Sequence, residues 1–178
     1  METRKFEIAR AESNIDWTGK KVTGAHNGTI AIKSGTISLT DGKYVGGSFV
    51  IDIASIKILD VTDPATNDQF AGHLFSDDFF SADRFPEAFF TITGSAQSKE
   101  GKHTITGNLT IKGITHPVTF SANVLVTDGT LTASGKIIVD RTLYDMKFRS
   151  GNFFQNLGDT LIYNEIDLDV KLTALATL

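Results

Sequence analysis

The sequence predicts an all-β chain whose strands form an antiparallel barrel or a sandwich, and three observations carry that prediction. Apolar residues alternate with polar ones at strict two-residue spacing over much of the chain, the pattern of strands with one buried face. Turn dipeptides fall between the alternating runs where hairpins need them. Glycines such as Gly107 and Gly135 lie on the apolar faces themselves, where they permit the sharp bends of a coiled, closing sheet. The glycines tilt the choice towards a barrel.

Taken in order, the first strands are the weaker ones. Residues 6–10 lead to Ile15 and Trp17, then come Ile30 with Ile32, and Ile37 with Leu39. Asp41-Gly42 turns the chain into a strand over 44–53. Ile105, Gly107, Leu109 and Ile111 share one face, and Val118, Phe120, Ala122, Val124 and Val126 share the next. Glu100-Gly101 and residues 113–117 close short connections, and Asp128-Gly129 precedes Leu131, Ala133, Gly135, Ile137 and Val139. The last strand sets Ile162, Ile166, Leu168, Val170 and Leu172 against Glu165, Asp167, Asp169 and Lys171. About eight strands joined mostly by tight turns predict neighbours paired in chain order.

Two stretches break the alternation, the first of them running from Ser55 to Pro86. Asp63-Pro64 offers a helix start, with Phe70 and Leu74 one turn apart on the helix that follows, over about 64–76. Residues 141–158 form a second irregular or helical segment around Leu143, Met146 and Phe148. Both are rich in phenylalanine, of which the chain has 13, and that much apolar surface is unfavourable on bare loops. Both are expected to fold over an open end of the sheet as lids.

The composition excludes several classes. At 178 residues, 40% hydrophobic and 21% charged, the chain has the make-up of one globular domain. A net charge of −4 argues against a nucleic-acid partner, whose phosphates call for a basic excess. Cysteine is absent, which removes disulfides, thiolate metal sites and cysteine nucleophiles. No stretch approaches the ~20 apolar residues of a spanning helix. The first residues lack the apolar run of a signal peptide, so the sequence as written predicts a cytoplasmic protein, or a periplasmic one if it is a mature form whose signal has been removed.

A spaced series runs through the chain: Trp17, Gly19, Lys21, Gly24, His26 and Gly28; Gly46-Gly47-Ser48-Phe49 and Ile51-Asp52; Ser55-Ile56, Asp60, His73-Leu74 and Asp78-Phe79-Phe80. It continues with Phe85-Pro86-Glu87-Ala88, residues 107–113 and Asp140-Arg141-Thr142. In this order and spacing the series resembles the YceI-like family, bacterial lipocalin-like proteins often called polyisoprenoid-binding. The resemblance runs from about Trp17 to about Leu172 and implies a single domain over 1–178. It implies an eight-stranded antiparallel lipocalin-like barrel, closed at one end, with a helical insertion and an elongated apolar interior. It also implies a ligand: a long-chain amphiphile such as an isoprenoid, a quinone-like lipid or a fatty-acid derivative. Some relatives are similar in forming dimers, which extends a homodimer to this chain as an expectation.

On that footing, Trp17, Phe49, Leu74, Phe79, Phe80, Phe120 and Phe148 are candidates for the apolar lining, and Lys21, His26, His73 and Arg141 for polar contacts at the mouth. Arg149 could also meet an anionic head group. Each lining candidate could equally be plain core. His26 and His73 could pair with Asp60 or Asp78, and such a bond could serve only to pin the helix to the barrel. His103 and His116 read as surface residues in turns. No two of the four histidines have zinc-ligand spacing, so no metal site and no cofactor beyond a bound lipid is expected. No nucleophile elbow or phosphate-binding glycine loop is present, and the expected role is binding or carriage without catalysis. Two alternatives stand beside it: a stress-response or interaction protein with a filled core, and a hydrolase or isomerase acting inside the barrel.

Overall fold

The computed structural model describes residues 2–177. Nine strands form one antiparallel sheet that closes on itself: Thr3–Ile8 (β1), Asn14–Lys21 (β2), Gly24–Thr40 (β3), Tyr44–Ile58 (β4), Glu87–Lys99 (β5), Lys102–Ile111 (β6), Ile114–Thr127 (β7), Thr130–Asp140 (β8) and Ile162–Ala176 (β9). From β2 to β9 each strand pairs with the next, and β9 pairs back onto β2. β1 and β2 both lie between β3 and β9 and are parts of one stave, interrupted by a 3₁₀ turn at Arg10–Glu12. The barrel therefore has eight staves, as the alternation and turns predict.

The turns show why the chain reverses where it does. Lys112-Gly113 and Asp128-Gly129 hold both central residues at positive φ, the geometry that two-residue hairpins require, and Asp41-Gly42 does so within a three-residue connection from Thr40 to Tyr44. The turn after β6 is thus shorter than expected, and Pro117 lies inside β7 rather than in a connection. Proline is tolerated there because β7 and β8 pair only over 122–127 and 130–135. Along its first half β7 has no partner on that side, and the missing N–H breaks no ladder bond.

β4 carries a bulge that bends its end towards β3. Ala31 pairs with Asp52 and Thr29 with Lys57, leaving three extra residues on β4. Ser55 repairs the gap, its hydroxyl accepting from the Ala31 amide at 2.8 Å and donating to the Asp52 carbonyl at 2.6 Å. Beyond β4, the helix Pro64–Phe75 (α1) starts as predicted. Asp63 accepts from the backbone amide of Thr66 at 3.0 Å, and Pro64 stands in the first turn. Asn67 donates to the carbonyls of Ile58 and Val61 and ties the helix to the end of β4. A buried core of inward residues, among them Phe6, Ile32, Ile37, Leu131 and Ala174, fills the end of the barrel away from α1.

His103 corrects the sequence reading. It lies on the inward face of β6, two residues before Ile105, and is only 3% exposed. Its Nδ1 has no hydrogen-bond partner, and burial pushes its pKa below the ordinary 6.5, offset in part by the backbone of Lys43. The unfolded chain takes up a proton as pH falls through 6.5, whereas the folded chain resists until its lower pKa is reached. Stability contributed by neutral His103 is thus full above about pH 6.5 and lost below it, by at most about 1.4 kcal/mol per pH unit. Urea unfolding at a series of pH values between 7.5 and 5 should show a shallower loss for His103→Phe than for the wild type. Parallel curves would mean that His103 does not contribute to the acid sensitivity.

Candidate functional site: a lidded apolar cavity

The interior is hollow towards the α1 end. A cavity of about 870 Å³ is walled by the barrel strands, by α1 and by the two segments that break the alternation. A smaller, almost wholly apolar chamber of about 110 Å³ lies further in. Ile15, Ile51, Leu109 and Leu168 wall both. The larger volume is at the upper end of ordinary small-molecule sites.

Each candidate from the sequence lies against one of these spaces. Trp17, Leu74, Phe79, Phe80 and Phe148 line the larger cavity, and Phe49 and Phe120 line the inner chamber. Lys21, His26, His73 and Arg141 also border the larger cavity. Trp17 donates its indole N–H to the Lys57 carbonyl at 3.2 Å. Gly28 makes that bond possible, because a Cβ there would stand 1.7 Å from the same carbonyl oxygen. In the inner chamber, Phe49, Phe90 and Phe120 form a run with ring centroids 6.2 and 5.8 Å apart. Phe90, Met146 and Ile56 were not singled out as site residues, although Met146 and Ile56 line the larger cavity and Phe90 the chamber. Alternation with Ala88 marks Phe90 as inward but cannot separate lining from core, and Ile56 faces inward only because the β4 bulge shifts it out of phase with Ile51 and Ile53.

The two lids meet over the mouth through aromatic edges. The His73 ring stands edge-on to Phe79 at 5.1 Å and to Phe148 at 4.6 Å, and Phe79 meets Phe148 at 5.8 Å. Phe79 belongs to the first lid and Phe148 to the second, so His73 of α1 joins them. Lys112, in the β6–β7 turn, donates to Asp77 of the first lid at 3.1 Å and to Asp145 of the second at 2.9 Å, each through a backbone carbonyl. Five non-glycine residues at positive φ fall in these lids or at this turn: Ser81, Lys112, Asp145, Arg149 and Asn156. Backbone strain of this kind persists only where its surroundings hold it.

The histidines pair as two of the sequence alternatives foresaw. His26 Nδ1 is 2.8 Å from Asp60, and His73 Nε2 is 3.1 Å from Asp78. Partial burial pushes the Asp60 carboxyl up, but the Asn27 amide and His26 outweigh it and hold the pKa below the usual carboxylate value. The Asp60 pair links β3 to the segment leading into α1, which makes it a tie between barrel and lid.

Arg141 departs from the sequence expectation. It is not at an open mouth but 1% exposed, in a 3₁₀ turn at Arg141–Tyr144. Its Nε, Nη1 and Nη2 donate to the carbonyls of Tyr163, Met146 and Ile162 at 3.0, 2.6 and 3.1 Å. No carboxylate lies within ion-pair distance among the described residues, and Asp140 instead caps the amide and hydroxyl of Thr142. Burial lowers the Arg141 pKa, with Asp140 opposing, and an arginine remains charged at neutral pH. Its guanidinium lies over the Phe79 ring at 5.9 Å, a cation held behind the aromatic gate.

Among the described residues, no three His, Cys, Asp or Glu side chains form a group that could hold a metal ion. Among the described residues no helix is long and apolar enough to cross a membrane.

An eight-stave antiparallel barrel with a capped, apolar interior and a helix over its mouth defines a lipocalin-like protein. The family model of the YceI-like domain matches residues 6–174, and the chain belongs to that family. Among curated relatives, Protein YceI of Salmonella arizonae is 46% identical over 54 residues, which is 30% of this chain and 27% of that protein. A UPF0312 protein of Photorhabdus laumondii is 44% identical over 54 residues, again 30% and 27% of the two chains. In these matches the chain spans little more than a quarter of its relatives' length. Of solved structures, BcnA of Burkholderia cenocepacia is 25% identical with a TM-score of 0.73, covering 93% of this chain and 98% of that one. A polyisoprenoid binding domain from Saccharophagus degradans has a TM-score of 0.69 at 14% identity, over 97% and 98% of the chains, and shares the fold.

Proposed function

We propose that this protein binds and carries a long-chain amphiphile, an isoprenoid, quinone-like lipid or fatty-acid derivative, without transforming it. The observation that carries the reading is the larger apolar cavity adjoining an almost purely apolar inner chamber, both beneath aromatic lids. Each methylene moved from water into such a lining contributes about 0.8 kcal/mol. A tail of ~12 buried carbons then gains on the order of 10 kcal/mol gross, offset substantially by the ordering of ligand and lids. Trp17, Leu74, Phe79, Phe80 and Phe148 would hold the upper part of the tail, and Phe49 and Phe120 its end. Lys21 at the rim, His26 and His73, and the two guanidinium N–H groups that Arg141 does not spend on carbonyls would meet the head group. Classification of the Saccharophagus domain as polyisoprenoid binding supports the ligand class.

Mass spectrometry of the purified protein, native and after organic extraction, tests the reading. The expected result is one long-chain amphiphile per chain, or an empty protein whose melting temperature rises on adding such a lipid. At a hundredfold excess over Kd, linkage stabilises the fold by about 2.7 kcal/mol. An empty protein that also fails to respond to lipids would overturn the proposal and favour the partner-binding alternative.

A further inference from the structure

We propose that the loop over residues 149–161 docks the mouth of the barrel onto a lipid bilayer, with Phe153 and Phe154 entering the boundary between head groups and acyl chains. The inference goes beyond carriage and rests on it for the reason a bilayer would be approached. Phe153 and Phe154 are 50% and 49% exposed, although paired aromatics are normally buried. Their amides both donate to the Ser150 carbonyl, at 3.1 and 3.0 Å, so the two rings leave one tight turn. That turn is anchored, because buried Ser150 donates its hydroxyl to the Asn164 side-chain carbonyl at 2.6 Å. The rings therefore project from a held platform.

The same loop walls the cavity through Arg149, Asp159 and Thr160. Its neighbour on the rim is the β2–β3 turn: the Val22 amide donates to Leu161, and the Ile162 amide to Arg149. Val22 is itself exposed, and so is Leu59, whose amide donates to Asn27 further along β3. Exposed apolar side chains thus stand next to residues that wall the cavity, Val22 after Lys21 and Leu59 two before Val61.

The charges next to the rings favour a bilayer over a protein partner. Lys147 Nζ lies 4.8 Å from the Phe153 ring centre, and the Arg149 guanidinium 4.9 Å from Phe148. Aromatic rings with long cationic side chains beside them suit an interface that is apolar below and anionic above. Lys147 is offset by Asp145, but Lys21 and Arg149 have no carboxylate within 4.0 Å among the described residues, in a chain of net charge −4. Asp159 on the loop offsets one of these cations in number, whereas on the α1 flank Asp60 and Asp78 meet only histidines and Asp77 is matched by Arg84, so an anionic surface would attract the loop side of the mouth and repel the other.

The experiment is flotation of the full chain with phosphatidylcholine vesicles, with and without phosphatidylglycerol. Alongside it, uptake of a dispersed fluorescent fatty acid is measured without vesicles. Wild-type protein should float with the vesicles, more so with phosphatidylglycerol, and Phe153→Ser/Phe154→Ser should lower the bound fraction by about tenfold or more. Uptake of the dispersed probe should be unchanged in that variant, which also reports that it folds. Phe153→Trp should bind at least as well as the wild type. A wild-type chain that stays off both vesicles, or a double serine variant that binds as well, overturns the docking and leaves the patch to a protein partner. Vesicle binding without probe uptake would uphold the docking while removing the carrier reading.

Discussion

Arg141→Ala is expected to lose about 3–5 kcal/mol of stability, seen as a fall of about 6–20 °C in melting temperature. The cause is local and countable. One guanidinium satisfies three backbone carbonyls, on Met146, Ile162 and Tyr163, at a site only 1% exposed. Removing it leaves three acceptors without donors where water reaches poorly, and each hydrogen bond to a charged group contributes about 1.5–3 kcal/mol. Losing a desolvated charge returns part of that. Arg141→Lys should recover less than half, since an ammonium has three donors but no planar fork to span carbonyls on two segments. Hydrogen exchange should show the loss concentrated in residues 141–164, where the second lid joins β9. A melting shift under about 2 °C would mean that water replaces the guanidinium at the three carbonyls and that Arg141 does not hold the lid.

The second large effect concerns how deep a ligand reaches. Ala122 is buried and borders the inner chamber, so Ala122→Phe places a ring in a space of about 110 Å³. A chamber of that size has room for roughly four methylenes, taking each as about a water's ~30 Å³ share. At about 0.8 kcal/mol each, excluding them weakens a long tail by about 3 kcal/mol, or about a hundredfold in Kd. Tails too short to enter the chamber should bind unchanged. A titration series of fatty acids of increasing length separates the cases: equal losses at every length would mean that the ring distorts the whole cavity, or that no tail reaches the chamber.

Much of the barrel was legible in the residues because strand alternation is a local property. Leu131, Val139 and Ile105 face inward as their period predicts, and the Asp-Gly turns fall where the hairpins need positive φ. The helix start was legible for the same reason, since Asp63, Pro64 and Thr66 interact within one turn. Lys112-Gly113 was harder to see, because a lysine at positive φ carries no compositional signal, and Pro117 drew attention to the wrong residues.

Two residues whose burial the sequence did not show share one property: partners distant in sequence decide their surroundings. His103 was placed in a surface turn, close after Glu100-Gly101, whereas the closing sheet turns it inward. Arg141 was expected at a mouth, yet carbonyls about twenty residues later draw it into the interior. Sequence by itself determined the strand periods, the hairpin turns, the helix start and the inward set of apolar residues, because those follow from contacts within a few residues. Tertiary structure alone decided which inward residues border empty space and which are packed core. It also decided that two distant lids meet at His73 and Lys112, and that Phe153 and Phe154 stay outside. Those outcomes depend on how closely whole strands and lids approach one another, a distance that no local pattern encodes.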